Sequence, residues 1–137
     1  MYNMAAKDES LARAICEGIL EVNPKLTLLA LSGSAMVRAA RALGLSVKSE
    51  VFADRGYQAD GTLVPRGRPG AMITDEDEAI ARVIRMAKEG VVRSVDGVDV
   101  PLTADSVCVH GDGEKALAFV RRIRAALTDA GIEVKAL

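Results

Sequence analysis

Aromatic residues, histidine and cysteine are all scarce in this 137-residue chain, and each scarcity removes a class of function. Tryptophan is absent, and the aromatics are only Tyr2, Phe52, Tyr57 and Phe119, too few to stack the bases of a single strand. The 18 basic and 19 acidic residues nearly cancel, and no basic block stands out. Nucleic acid is therefore not an expected partner. No apolar run approaches the ~20 residues of a membrane span. The amino terminus also lacks the apolar core of a signal peptide. The expectation is a cytoplasmic protein with no membrane partner. Cys16 and Cys108 lack metal-ligand spacing and sit in apolar surroundings. They read as two buried, reduced thiols rather than a disulfide. With one histidine and two isolated cysteines, no metal site is expected from this chain alone.

What is present is a globular composition. Half of the residues are hydrophobic and 27% are charged, enough for one domain over residues 1–137 with a real core. Residues 1–4 read as a tail, without cap or turn signal. Lys7 to about Val22 reads as a helix with Leu11, Ile15, Ile19 and Val22 on one stripe, stopped at Asn23-Pro24. Leu26–Leu31 is a continuous apolar run, expected of a strand covered on both faces. Ser32-Gly33-Ser34 turns into a second helix that buries Met36, Val37, Ala40 and Leu43 and ends at Gly44. Val47–Ala53 is the next strand.

A third helix follows, with Thr74 as its expected cap, acids at 75–78 in its first turn and Gly90 at its end. Val91–Leu102 carries Asp96-Gly97 between valine-rich arms, a hairpin signal. Ser106–Val109 is a strand. A helix with Ala116, Phe119, Val120, Ile123 and Leu127 on one face comes next, then Gly131 and a last strand over Ile132–Val134. Strands alternating with amphipathic helices predict an α/β fold with parallel strands. The hairpin is an insertion into it.

Between the second strand and the third helix lies a long loop with Gly56, Gly61, Gly67, Gly70, Pro65 and Pro69, carrying Arg66 and Arg68. Loops of this length in compact domains usually bind something or cover a site. Two strand ends carry chemistry: Asp54-Arg55 with Tyr57, and His110 with Asp112. In a parallel sheet such ends share one rim, so residues far apart in sequence can converge. His110 is the only group whose unperturbed titration lies near neutrality, and a neighbouring carboxylate could orient its ring. Arg55 has the chemistry to clamp a carboxylate or phosphate. The competing reading makes His110 a cap of the following helix and Asp54-Arg55 a structural ion pair. Spacing does not separate the two. Glu50 faces either solvent or a barrel interior, and Arg66 and Arg68 either hold anions or keep the loop soluble. Gly111-Asp112-Gly113-Glu114-Lys115 lacks Walker spacing and supports at most a generic anion site. Ser34 lacks a nucleophile elbow.

The run Glu50-Val-Phe-Ala-Asp54-Arg55-Gly-Tyr57-Gln-Ala-Asp60-Gly-Thr-Leu-Val-Pro65-Arg66, the nearby Pro69-Gly-Ala-Met-Ile73 and the later Asp105-Ser-Val-Cys-Val-His110-Gly-Asp112 closely resemble the LamB/YcsF family. These are the A subunits of the bacterial ATP-dependent 5-oxoprolinase, and the resemblance covers essentially the whole chain. It implies a partial (β/α) barrel of the polysaccharide-deacetylase-like type. It also implies ATP-driven opening of the 5-oxo-L-proline lactam to L-glutamate, in concert with B and C subunits. Asp54, His110, Asp112 and Glu50 become the catalytic candidates, and Arg55, Tyr57 and Arg66 the substrate-binding ones. In this assignment His110 with Asp112 shuttles protons, Asp54 or Glu50 activates water, and Arg55 holds a carboxylate or a phosphorylated intermediate.

Family members also carry an amino-terminal half with an Asn-x-Asp-x-Gly-Glu strand, a Cys-Gly-x-His-Ala-Gly-Asp segment and a Lys-Pro-His-Gly-Ala-Leu run. None of these occurs here, so the chain is expected to correspond to the carboxyl-terminal half, with unpaired strand edges that favour self-association. Two other classes remain open: a non-catalytic fragment that keeps a subunit-binding surface and, by fold analogy alone, a metal-dependent deacetylase-like hydrolase.

Overall fold

A computed structural model describes residues 1–110 and 116–136. Its elements are α1 (Tyr2–Ala5), α2 (Glu9–Val22), β1 (Thr27–Leu31), α3 (Ala35–Leu43), β2 (Ser46–Phe52), α4 (Glu76–Glu89), β3 (Val91–Arg93), β4 (Asp99–Pro101), β5 (Ser106–Cys108) and α5 (Ala116–Asp129). The fold is α/β with a parallel sheet. β2 is the centre strand, flanked by β1 and β5, both parallel to it. Glu50 is the pivot of the register, opposite Leu31 on one side and Ser106 on the other.

Local chemistry accounts for most boundaries. Asp8 caps α2 by accepting from the Leu11 N–H, and Ser34 caps α3 through Val37. Asp75, not the expected Thr74, caps α4, its carboxylate accepting from the N–H groups of Asp77 and Glu78. A carboxylate at that position also suits the positive end of the helix dipole. The hairpin forms as expected, β3 against β4, with a turn in which the Gly97 N–H donates to the Ser94 carbonyl. Gly97 has φ 76°, a region that side chains with a Cβ rarely enter.

The two faces of the sheet differ. Leu28, Ala30 and Val47 pack with Ala12, Cys16, Met36 and Ala40 beneath α2 and α3. Val51 and Val107 join Val83, Met86, Ile123 and Leu127 beneath α4 and α5. Side chains alternate along a strand, so Leu29, Lys48, Glu50, Phe52 and Cys108 point to the opposite face. No helix of these pairs covers that face, and Leu29 remains 40% exposed. The expectation of a β1 buried on both sides therefore holds only at its end, where Ala30 and Leu31, on opposite faces, are both buried.

Other expectations also change. The opening residues are not a tail: Tyr2–Ala5 forms a helical turn, with Ala5 fully buried. It is held because the Ala6 carbonyl accepts from the Ala35 N–H. Ile132–Val134 forms no strand; after Gly131 the chain turns back, and the Ile132 N–H donates to the Leu127 carbonyl. The described sheet is consequently three-stranded and open, not a closed barrel. Both cysteines are free, Cys16 buried and Cys108 partly so. Among the described residues no helix is long and apolar enough to cross a membrane.

Candidate active site at the carboxyl end of the sheet

The chain leaves β2 at Phe52 and β5 at Cys108, two residues that are paired neighbours. Asp54 and His110 each follow two residues later. Parallel register alone thus brings them to one rim, although they are 56 residues apart. His110 Nδ1 lies 2.7 Å from one Asp54 carboxylate oxygen and 2.9 Å from the other. Its Nε2 lies 3.1 Å from a terminal guanidinium nitrogen of Arg66. Guanidinium offers only donors, so Nε2 accepts. A neutral imidazole has one donor and one acceptor. Nδ1 therefore carries the proton and donates it to Asp54. The ring rests on Phe52, with centroids 6.0 Å apart and planes 28° from parallel.

Glu50 sits one turn of the pleat below, on the open face. The Tyr2 hydroxyl donates to its carboxylate at 2.8 Å, and the Tyr2 ring meets Phe52 edge-on at 6.0 Å. Burial, then the bond to Glu50, pushes the Tyr2 phenol far up, so it stays a donor at any physiological pH. Cys108, on the same face, is pushed up to about 11 by burial and by the charges of Glu50 and Asp54. It is a thiol here, not a thiolate nucleophile.

Arg55 and Tyr57, expected to hold substrate, are turned inward. Arg55 is 3% exposed, and its guanidinium donates to the carbonyls of Ala71 at 3.0 Å and Val64 at 2.7 Å. Burial and then the neighbouring charge of Arg66 lower its affinity for its proton. Tyr57 is 1% exposed, and its hydroxyl accepts from the Phe52 N–H at 2.9 Å, a donor that β1 is too short to reach. Burial raises its phenol to about 12. These two residues shape the long loop rather than line its mouth. Arg82 of α4 braces it from below by donating to the Arg55 carbonyl. Gly56 lets the loop close on itself, since a Cβ there would lie 1.9 Å from the Gly70 carbonyl oxygen. Pro65–Gly70 is exposed, with Arg66 at its start.

Asp112, and with it the Gly111–Lys115 segment, lies outside the described residues. In the structure Asp54 is the carboxylate bonded to His110. Among the described residues no three His, Cys, Asp or Glu side chains are arranged to hold a metal ion. A cavity of about 530 Å³ opens on the same rim, past the end of β1, between Ser32–Ser34, Lys7, Arg38 and Asp60. A larger one of about 570 Å³ runs along β5 beneath α5 and contains none of the expected site residues. Tyr2 is the site residue that sequence reading missed. Its four-residue helix is too short to show periodicity, and only its aromatic character singles it out.

The model of the LamB/YcsF family matches residues 1–137. The chain belongs to the LamB/YcsF family. This LamB/YcsF chain is 60% identical over 134 residues to the A subunit of 5-oxoprolinase from Clostridium beijerinckii, a match covering 98% of this chain and 52% of that protein. Against the corresponding 5-oxoprolinase protein of Bordetella pertussis the identity is 56%, over 99% of this chain and 54% of the relative. The crystal structure of the lactam utilization protein from Thermus thermophilus superposes with a TM-score of 0.87 at 40% identity, covering 99% of this chain and 54% of that one. The chain thus spans about half the length of the relatives it matches. Those matches carry the fold and the family.

Proposed function

We propose that this chain supplies an acid–base pair to the hydrolytic opening of the 5-oxo-L-proline lactam to L-glutamate, driven by ATP within a complex that contains B and C subunits. The observation that carries the proposal is the Asp54–His110 pair: a carboxylate at 2.7 Å fixes the ring with Nδ1 protonated and turns Nε2 outward. The names of the relatives support the substrate.

Lactam opening adds water to the ring carbonyl, breaks the C–N bond and delivers a proton to the departing nitrogen. An imidazole with a free Nε2 can take the proton from the attacking water and return it to the nitrogen. Asp54 keeps that tautomer and stabilises the imidazolium that forms in between. Glu50, held by Tyr2, places a second carboxylate on the same face, where it can order the water. Arg66 is the exposed cation at the mouth and suits the substrate carboxylate. ATP supplies the driving force within the complex.

In a complex reconstituted to the full length of the relatives, H110A should lower ATP-dependent glutamate formation by ~10²–10⁴-fold with little change in melting temperature. D54N should also lose most of the rate, because an amide permits the wrong tautomer. Near-normal turnover in H110A would return His110 to a structural role. The half-length coverage favours one second reading, a subunit-binding fragment without its own chemistry. That reading predicts complex formation unaffected by H110A, with no activity of the unmodified chain in any assembly.

A further inference from the structure

We infer that Arg66 is a positioning residue that caps the Nε2 lone pair of His110 and is released by a small carboxylate, so that the ligand unmasks the base it needs. The inference rests on the reading of His110 as an acid–base residue.

The geometry is two-ended. Asp54 takes the Nδ1 proton, and Arg66 occupies the opposite nitrogen at 3.1 Å. While Arg66 stays, a proton cannot settle on Nε2 without setting two cationic donors against each other. In that state the imidazole is oriented correctly but unable to act. Three features make the cap removable. Arg66 lies in the exposed part of the loop, whereas Arg55 is fixed by two buried carbonyls. Among the described residues Arg66 has no carboxylate partner, because Asp54 is committed to Nδ1. The buried Arg55 charge lies close by, and the like charge of Arg66 weakens the hold of Arg55 on its proton. A guanidinium in this setting gains more from two charge-assisted bonds to a carboxylate than from one bond to a neutral ring nitrogen. The same movement would seat the ligand anion beside the vacated Nε2. Among the described residues the other titratable groups near the ring are Glu50 and Cys108 on the open face, and Tyr2, which is bonded to Glu50. None of them approaches Nε2 within hydrogen-bonding distance.

The test uses the fact that His110 is the only histidine, so its ring signals in the full chain need no assignment. Nitrogen-15 spectra of histidine-labelled parent, Arg66→Ala and Arg66→Lys chains would be followed against pH. They would be recorded with sodium acetate, with 5-oxo-L-proline, and with sodium chloride at matched ionic strength. The inference expects the Nε2 signal of Arg66→Ala to differ from the parent's across the pH range, because the donor that caps the lone pair is gone. Arg66→Lys should stay nearer the parent. Acetate should move the parent toward the Arg66→Ala behaviour, and leave Arg66→Ala unchanged relative to chloride. Identical titrations of parent and Arg66→Ala would overturn the inference, as would equal acetate responses in the two. A parent that responds to acetate but not to 5-oxo-L-proline would uphold the cap and count against the proposed substrate.

Discussion

Tyr57 shows how a residue can belong to a site without facing the ligand. Its ring is buried, and its hydroxyl satisfies the last N–H of β2, which lies beyond the end of β1. Tyr57→Phe keeps the ring and strands that N–H, which should cost ~1–3 kcal/mol. The same residue predicts an alkaline transition. Its folded phenol titrates at about 12, above the unfolded value of ~10. The group therefore stabilises the fold fully below pH ~10, and that contribution is lost as pH rises through about 12. Two units correspond to about 3 kcal/mol. Urea unfolding at neutral pH and near pH 11.5 should show a larger loss in the parent than in Tyr57→Phe. Equal losses would show that another group governs the alkaline limit. At this scale the sequence was only partly informative. The strand-end rule pointed to Asp54 and His110, because parallel register makes their meeting a matter of counting. It could not separate the inward-facing Arg55 and Tyr57 from the outward-facing Arg66. That distinction depends on which loop carbonyls lie within reach, and no local pattern encodes it.

Among the elements, the long loop is the one whose order is least visible in its composition. Glycine and proline suggest freedom, yet the loop is tied down at several points. The Gly56 N–H donates to the Ala71 carbonyl, the Ile73 N–H to Asp54 and the Val64 N–H to Gly56. The hairpin adds another tie through the Val95 N–H and the Tyr57 carbonyl. Gly56→Ala would drive a Cβ into the Gly70 carbonyl and should cost at least the ~1–3 kcal/mol typical of overpacking. Its most direct readout is proteolysis. Leu63-Val64-Pro65-Arg66 suits thrombin, but Leu63 and Val64 are buried. The folded parent should resist cleavage after Arg66, and Gly56→Ala should be cut. Rapid cutting of the parent would mean that the ties open readily. The helices were far more legible, because amphipathic spacing and caps act over a few residues. The exception at Thr74 is instructive. Asp75 stands one position later with a stronger acceptor, and it wins the cap. Its neighbours Glu76 and Asp77 are then free to pair with Arg122 of α5, fastening the two helices together.

At the scale of the whole molecule, the open sheet decides behaviour. Parallel sheets are normally covered on both faces. Among the described residues β1 has a neighbour on one side only, and β5, the other outer strand, has only β2. Leu26 and Leu29 are 47% and 40% exposed beside the free edge of β1. An unpaired apolar edge is a template for another strand. The expectation of a last strand over Ile132–Val134 erred for a related reason: its residues have strand character, but among the described residues they pair with no strand, although they line the cavity along β5. The free chain is therefore expected to self-associate through the β1 edge and the open face. Light scattering on a size-exclusion column should show a species larger than 14.5 kDa. Leu29→Lys should shift it toward monomer, since a charge on an edge opposes pairing. Adding a polypeptide that spans the rest of the relatives' length should compete with self-association, and it should quench hydrogen exchange along Thr27–Leu31. A chain that is monomeric, unfolds cooperatively and already protects those amides would show that three strands suffice, and that the open face needs no cover.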